Sequence, residues 1–142
     1  KTIILANQNK KIPIYGKGNN IRDWIFVDDH CDAILMSILN GKEGESYNVS
    51  ANNEIDNISI VKKILQLMNK SEELIEFVED RPGHDFRYSL DSTKITKELG
   101  WKINTTFDEG IKNTVQWYLE NPDILNNISS TVLDSTPWKS SN

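Results

Sequence analysis

The sequence has very little cysteine, and this scarcity excludes several kinds of site. Cys31 is the only cysteine in 142 residues, which rules out an internal disulfide and a metal site built from several thiolates. The residue follows Asp28, Asp29 and His30 at a predicted helix start, where we expect a small buried side chain rather than a reactive thiol. We predict no metal site in this chain.

Long hydrophobic runs are also missing. No apolar run approaches the roughly 18 residues needed to cross a bilayer, and no charged stretch followed by an apolar one marks a secretion signal. These absences predict a cytoplasmic protein without a membrane partner. Hydrophobic residues make up 37% and charged residues 26% of the chain, a composition typical of one globular domain with a real core.

Positive charge is scarce. The chain has 16 basic and 21 acidic residues, and its formal net charge is −5. A surface of this sign repels the phosphates of nucleic acids and of anionic membranes. We therefore expect neither of them as the main partner.

Arginine is the rarer of the basic residues, since only three of the 16 are arginines and the rest are lysines. A guanidinium can hold a phosphate or carboxylate through two fixed donors, which lysine cannot do. The alternative is that each arginine pairs with an aspartate nearby in sequence. We predict anion binding for Arg22 and Arg81 and a structural pair for Arg87. The local partners in the alternative are Asp23 for Arg22, Asp80 or Asp85 for Arg81, and Asp91 for Arg87.

Predicted strands alternate with predicted helices along the chain, which indicates the α/β class. We predict strands over residues 12–15, 21–27, 46–50 and 74–79, with a hairpin turn over residues 16–20. After a short helix around Ile3–Leu5, the predicted helices are capped by Asp28 or Asp29, by Asn57, by Ser92 and by the Thr106–Glu109 capping box, with Gly100 ending the third.

The apolar stripes of these helices are expected to form the core. One stripe consists of Ile34, Leu35, Ile38 and Leu39. The next consists of Ile58, Val61, Ile64, Leu65 and Met68.

The segment Asp80–Tyr88 concentrates arginine, histidine and aspartate in nine residues. Pro82 and Gly83 predict a tight turn, because proline presets φ and glycine accepts positive φ. A turn that carries an arginine and a histidine could bind an anion, and an ordinary surface turn with internally paired charges explains the same residues. Tyr15 could stack on a flat base or pack in the core. Asn57 could bond a ligand with its amide or serve only as a helix cap.

Several segments together resemble one family, the dTDP-glucose 4,6-dehydratases, which are extended short-chain dehydrogenases. The resemblance covers roughly residues 3–122, and its most specific part is Asp80–Tyr88. The matching segments, in order, are Pro13–Gly16, Ile21–Trp24 with Val27–His30, Gly44–Asn48, Asn53–Asn57, Asp80–Tyr88, Glu98–Trp101 and Thr114–Asn121.

The resemblance implies a reaction and a set of ligands. In this family a tightly bound NAD takes hydride from C4 of a nucleotide-linked glucose, water leaves across C5–C6, and the hydride returns to C6. The implied substrate is dTDP-glucose, although thymine and uracil stay open as the base. The implied substrate-binding residues are Pro13, Ile14 and Tyr15 at the nucleotide, Arg22 and Arg81 at the diphosphate, and Asn57, Asp80, Pro82, Gly83 and His84 in the rest of the site.

The chain departs from the family in one large respect. A glycine-rich NAD loop, a Tyr-x-x-x-Lys pair and the acid/base carboxylates have no counterpart here. The resemblance therefore implies the C-terminal, substrate-binding part of a Rossmann-type fold, without its dinucleotide-binding half. We expect residues 1–125 to form this part and residues 126–142 to form a poorly ordered polar tail. No catalytic or NAD-binding residue is expected in the chain itself, and the full-length family is expected to be a homodimer.

Two other functions stay open. One is a fragment of another NAD-dependent sugar-nucleotide epimerase, dehydratase or decarboxylase. The other is a standalone or decayed module that binds a nucleotide sugar.

Overall fold

The structure, a computed structural model, describes residues 1–128 and Leu133. Most of the predicted polar tail, residues 129–132 and 134–142, lies outside the described residues. The elements, in chain order, are α1 (Thr2–Asn7), β1 (Ile12–Tyr15), β2 (Ile21–Asp23), α2 (Val27–Asn40), β3 (Glu54–Asp56), α3 (Asn57–Leu67), β4 (Ile75–Val78), α4 (Thr93–Leu99), α5 (Phe107–Glu120) and α6 (Pro122–Asn126).

The chain divides into two compact units, neither of which is continuous in sequence. Among the described residues, the first unit contains residues 1–20, 56–86, 112–128 and 133. The second unit contains residues 21–55 and 87–111. The α/β class is confirmed, because the chain combines helices with strands and two of the strands, β1 and β4, are parallel.

A parallel pair of strands lies in the first unit. β1 pairs with β4, with Ile12 opposite Ile75 and Tyr15 opposite Val78. The hairpin predicted for residues 16–20 is wrong, because β2 pairs with β3 instead of β1. Gly18 has no room for a side chain, since an added Cβ would lie 2.6 Å from Ile14 Cγ2. The turn therefore packs down onto the first unit instead of folding back along β1.

The core of the first unit lies between α1, β1 and α3. Its buried members are Leu5, Ala6, Ile12, Ile14, Val61 and Leu65. The core stripe predicted for α3 is confirmed: Val61, Ile64 and Leu65 are buried, and Ile58 and Met68 pack against the cluster from partly buried positions.

The second unit has a smaller core, formed by Ala33 of α2, Ile95 of α4 and Trp101. The core stripe predicted for α2 is wrong. Its exposed fractions run from 48% at Ile34 to 74% at Ile38, because the helix packs through Ala33 and Met36 instead. Cys31 is exposed as well, contrary to the buried side chain expected from the sequence.

The strands of the second unit are shorter than predicted. β2 ends at Asp23, Val27 already begins α2, and residues 46–50 form no strand. The Asp23 carboxylate accepts hydrogen bonds of 2.8 Å from the backbone N–H groups of Ala51 and Asn53. This carboxylate holds the chain just before β3 as an irregular loop, and β2 pairs with β3.

Asp28 and Asp29 do not cap α2, because the helix begins one residue before them. Phe26 occupies the N-cap position and makes no side-chain capping bond. The side chain of Asp29 is buried instead, and its two oxygens accept hydrogen bonds from the backbone N–H groups of Asn104 (2.9 Å) and Thr105 (3.0 Å). Asp29 therefore fastens the segment before α5 to α2.

The remaining helix ends follow the sequence more closely. Ser92 lies at the N-cap of α4, although its hydroxyl makes no capping bond, and Gly100 ends the helix with φ 74°. The predicted capping box is confirmed, since Thr106 N–H donates to Glu109 (3.1 Å) and Glu109 N–H donates to Thr106 Oγ1 (3.3 Å). Over the described residues, every helix is too short or too polar to pass through a bilayer.

Candidate functional site

The carboxyl ends of β1 and β4 meet because the two strands are parallel. Gly16 N–H donates to the Val78 carbonyl oxygen (2.9 Å), which ties the two ends together. Gly16 has φ +56°, and a Cβ added to it would lie 3.0 Å from Asp80 Oδ2. Tyr15 and Asp80, both predicted from the sequence, are thus brought to one edge. Ligands of open α/β sheets bind at this edge, beyond the carboxyl ends of the strands.

The Asp80 carboxylate is bonded from within its own loop. Its Oδ1 accepts a hydrogen bond from Arg81 N–H (2.9 Å) and lies 2.6 Å from His84 Nδ1. The bond with His84, followed by that from Arg81, holds the pKa of Asp80 below its ordinary value. The His84 side chain is only 6% exposed, and its ring meets the Tyr15 ring edge-on with centroids 6.2 Å apart.

Arg81 projects from the tight turn that the sequence predicts at Pro82 and Gly83. Gly83 has φ +65°, as this turn requires, and all three residues are exposed. Within residues 1–128 and 133, the guanidinium of Arg81 has no ion pair or hydrogen bond. Arg81 thus forms no ion pair with Asp80 or Asp85, although its positive charge contributes to the lowered pKa of Asp80.

Asn57 is not the cap of α3. Asp56 caps the helix by accepting a hydrogen bond from Ser59 N–H (2.8 Å), and Asn57 is the first helical residue. The N–H groups of Asn57 and Ile58 donate to the carbonyl oxygens of Asn20 (3.1 Å) and Gly18 (3.0 Å). The side-chain amide of Asn57 is half-buried and has no partner among the described residues. That amide is available to a ligand, whereas the first N–H groups of α3 are already bonded.

Asn20 joins this part of the site to the Asp80–His84 loop. No sequence pattern predicts this role. It is 7% exposed, and its Nδ2 donates to the Asp85 carbonyl oxygen (3.2 Å) while its own carbonyl accepts from Asn57. An asparagine after two glycines signals a turn. It carries no signal of burial, because the contact with Asp85 spans 65 positions of sequence.

Pro13 and Ile14 lie on opposite faces of β1. Ile14 is 5% exposed and belongs to the hydrophobic core, whereas Pro13 and Tyr15 are half-buried. The alternation of side chains along a strand accounts for this separation. A contact between Ile14 and a ligand stays a prediction, and the core position of its side chain leaves only the main chain for it.

Arg22 lies in the second unit. Its Nη1 donates to the Ile21 carbonyl oxygen (2.6 Å), and its guanidinium lies 4.5 Å from the centre of the Tyr88 ring. The carboxylate of Asp23 bonds the backbone N–H groups of Ala51 and Asn53. Anion binding by Arg22 stays a prediction.

Arg87 forms the structural pair that its sequence context predicts, but with a different partner. Its Nε and Nη2 each lie 2.7 Å from an oxygen of Glu54, and Ser89 donates a further hydrogen bond of 2.6 Å. Arg87, and after it Ser89, lower the pKa of Glu54 to about 2. The predicted partner, Asp91, instead accepts from Thr93 N–H (2.8 Å).

The residues present do not fit NAD. A dinucleotide site needs glycines between a strand and a helix, with free backbone N–H groups facing the pyrophosphate. Gly16 and Gly18 lead instead from β1 towards β2, and their N–H groups donate to Val78 and Tyr15. Among the described residues there is also no cluster of three or more His, Cys, Asp or Glu side chains that could hold a metal ion.

Comparison with known proteins assigns the chain to a family. The family model described as GDP-mannose 4,6 dehydratase matches residues 1–114, so the chain belongs to this family of extended short-chain dehydrogenases. Within it, the chain is 45% identical to the dTDP-glucose 4,6-dehydratase of Salmonella typhimurium over 140 residues, which are 94% of this chain and 39% of that protein. The sequence-based resemblance to dTDP-glucose 4,6-dehydratases is confirmed.

Solved structures agree with this assignment. The dTDP-glucose 4,6-dehydratase of Bacillus anthracis in complex with NAD is 42% identical, with a TM-score of 0.80, over 86% of this chain and 39% of that one. The enzyme of the same name from Streptomyces venezuelae, also with NAD bound, is 35% identical with a TM-score of 0.84, over 87% of this chain and 38% of that one. The chain thus spans less than two-fifths of the length of these relatives.

Proposed function

We propose that this chain is the substrate-binding part of a dTDP-glucose 4,6-dehydratase, an NAD-dependent lyase that converts dTDP-glucose to dTDP-4-keto-6-deoxyglucose. One observation carries the proposal. Among the described residues, Arg81 presents a guanidinium without an ion pair or hydrogen bond from a tight turn at the carboxyl ends of β1 and β4. A guanidinium in this position is suited to a diphosphate, because its planar fork can donate to two phosphate oxygens.

The proposed ligand contacts follow the sequence prediction, and the structure refines the roles of Ile14 and Asn57. Arg81 binds the diphosphate, Tyr15 and Pro13 contact the nucleotide with their side chains, and Ile14 contributes only its main chain. Asn57 donates its side-chain amide to the ligand, an assignment supported by the absence of a capping role for it. Arg22 is proposed as a second diphosphate ligand on the family resemblance alone.

The chemical step is proposed to lie outside this chain. The glycine pattern does not fit NAD, and none of the four tyrosines is followed four residues later by lysine. We therefore assign NAD binding and the catalytic residues to the part of the relatives that this chain does not span. On this proposal the chain binds the substrate and cannot turn it over alone. A homodimeric full-length enzyme in the cytoplasm is proposed from the family resemblance.

The proposal is tested by titrating the chain with dTDP and, separately, with thymidine, and by following binding with isothermal calorimetry. A charge-assisted hydrogen bond contributes about 1.5–3 kcal/mol, so Arg81→Ala should weaken dTDP binding by about 10- to 100-fold. Thymidine lacks the diphosphate, and its affinity should not change. UDP in place of dTDP measures the preference for the base.

Lys17→Ala is the matched control, because Lys17 is an exposed cation on the neighbouring turn and has no partner within the described part of the chain. It should alter dTDP affinity by less than about twofold, the size of a screened long-range charge effect. Absence of dTDP binding, or equal losses for the two variants, would contradict the proposal.

A further inference from the structure

The sequence groups Asp80, Arg81 and His84 together as ligands of the substrate, whereas their contacts divide them into two kinds. Asp80 and His84 bond to each other, and Arg81 presents its side chain outward. We propose that Asp80 and His84 are positioning residues, which hold the loop so that Arg81 meets the diphosphate, and that neither binds the diphosphate itself. This inference rests on the proposed function.

The first argument is electrostatic. An aspartate is ionised at neutral pH, and the hydrogen bond with His84 is the first cause that lowers the pKa of Asp80 further. An ionised carboxylate has no proton to donate, and it repels a diphosphate of the same sign. Asp80 is therefore unsuited to touch the anion directly. It is suited to accept hydrogen bonds from its own loop, and Arg81 N–H is one of the donors.

The second argument is burial. The His84 side chain, at 6% exposure, lies against the Tyr15 ring with Nδ1 towards Asp80. Asp80 Oδ2 in turn lies over Gly16, where any side chain would crowd it. The carboxylate thus links the end of β1 to both sides of the turn, at Arg81 and at His84. The His84 ring, enclosed in this way, stabilises the conformation of the turn.

The loop is held at its far end as well. Asn20 donates to the carbonyl oxygen of Asp85, one residue after His84. The turn at Pro82 and Gly83 therefore lies between two fixed points, and Arg81 is held at its amide while its side chain stays exposed. Ordering an arginine before the ligand arrives reduces the entropy lost on binding, which is how a positioning residue raises affinity without touching the ligand.

A double-mutant cycle separates positioning from direct contact. Asp80→Ala should weaken dTDP binding about tenfold and leave thymidine binding unchanged, because the effect acts through Arg81. In the Arg81→Ala background, Asp80→Ala should cause no further loss beyond about twofold. Asp80→Asn keeps an acceptor oxygen for Arg81 N–H, and it should restore most of the affinity that Asp80→Ala loses.

A measurement without ligand keeps this inference distinct from the proposed function. In Asp80→Ala, hydrogen exchange of the Arg81 amide should accelerate about tenfold, the effect of losing a hydrogen bond to a charged group. Exchange at Leu65 in the core should not change, which excludes general destabilisation. Unchanged exchange at Arg81, or a full loss of dTDP affinity from Asp80→Ala in the Arg81→Ala background, would overturn the positioning role. If the wild-type chain does not bind dTDP, the proposed function fails, and the exchange measurement still decides whether Asp80 holds the loop.

Discussion

Asp29 offers the clearest test of what holds the second unit together. Its side chain is 2% exposed, and its two oxygens each accept one backbone N–H group, from Asn104 and Thr105. Its backbone carbonyl oxygen accepts a third hydrogen bond, from Trp101 Nε1 (3.0 Å). Asp29→Ala would remove both side-chain acceptors and leave the N–H groups of Asn104 and Thr105 without their carboxylate partner.

The magnitude follows from these two bonds. A hydrogen bond to a charged group contributes about 1.5–3 kcal/mol, so we expect the loss of two such bonds in Asp29→Ala to lower the free energy of unfolding by about 3–6 kcal/mol. This is a large part of the total of about 5–15 kcal/mol typical of a domain. Asp29→Asn keeps one acceptor oxygen and should cost about half as much. Urea denaturation of dilute protein, followed by far-UV circular dichroism, measures both values.

Asp28→Ala is the matched control, because Asp28 is exposed in the same first turn of α2. It loses the same favourable interaction with the helix dipole, about 0.3–1 kcal/mol, without losing any bond to Asn104 or Thr105. If Asp29→Ala destabilises the chain no more than Asp28→Ala does, the buried carboxylate does not fasten the loop and the reasoning is refuted.

Two further predictions concern Glu54 and the exposed stripe of α2. The pKa of Glu54 falls from 4.5 to about 2 on folding, so its stabilising effect is complete above pH 4.5 and disappears as the pH falls towards 2. The stability difference between wild type and Glu54→Gln, measured by urea denaturation, should therefore shrink across this range; a constant difference would contradict it. The apolar stripe of α2 should make the isolated chain self-associate. Ile38→Lys should reduce association in sedimentation experiments and Asn40→Lys, the control of equal charge, should not; equal effects would exclude the stripe as the cause.

Local patterns predicted the parts of the fold that depend on neighbouring residues. The stripe of α3, the capping box at Thr106 and the glycine end of α4 all follow from contacts within a few positions of sequence. The stripe of α2 failed because periodicity identifies an apolar face and does not say which face is covered. The hairpin failed because the partner of β1 is β4, far along the chain, and no turn residue carries that information.

The candidate site shows the same limit. The prediction that Arg87 forms a structural ion pair is confirmed, and Arg81 forms none among the described residues. The predicted partner of Arg87 is wrong, because its actual partner, Glu54, lies 33 positions away in the sequence. Asn57 was assigned as a cap because asparagine favours that position, and the preceding Asp56 takes the role instead. Asn20 was missed altogether. Its side chain donates to the carbonyl oxygen of Asp85, which is 65 positions away in the sequence, so no local pattern predicts the contact.

The discontinuous first unit has a consequence for any attempt to shorten this protein. Apart from Arg22, the residues of the proposed site come from β1 and the turn after it, from the start of α3 and from the loop after β4, whereas residues 21–55 belong to the other unit. A cut anywhere within residues 21–55 removes one strand of the parallel pair from the fragment that keeps the other. The proposed binding site therefore cannot be obtained as one contiguous minimal peptide. A smaller version would require residues 21–55 to be replaced by a linker between Asn20 and Asp56, and it would lose Arg22, the second proposed diphosphate ligand.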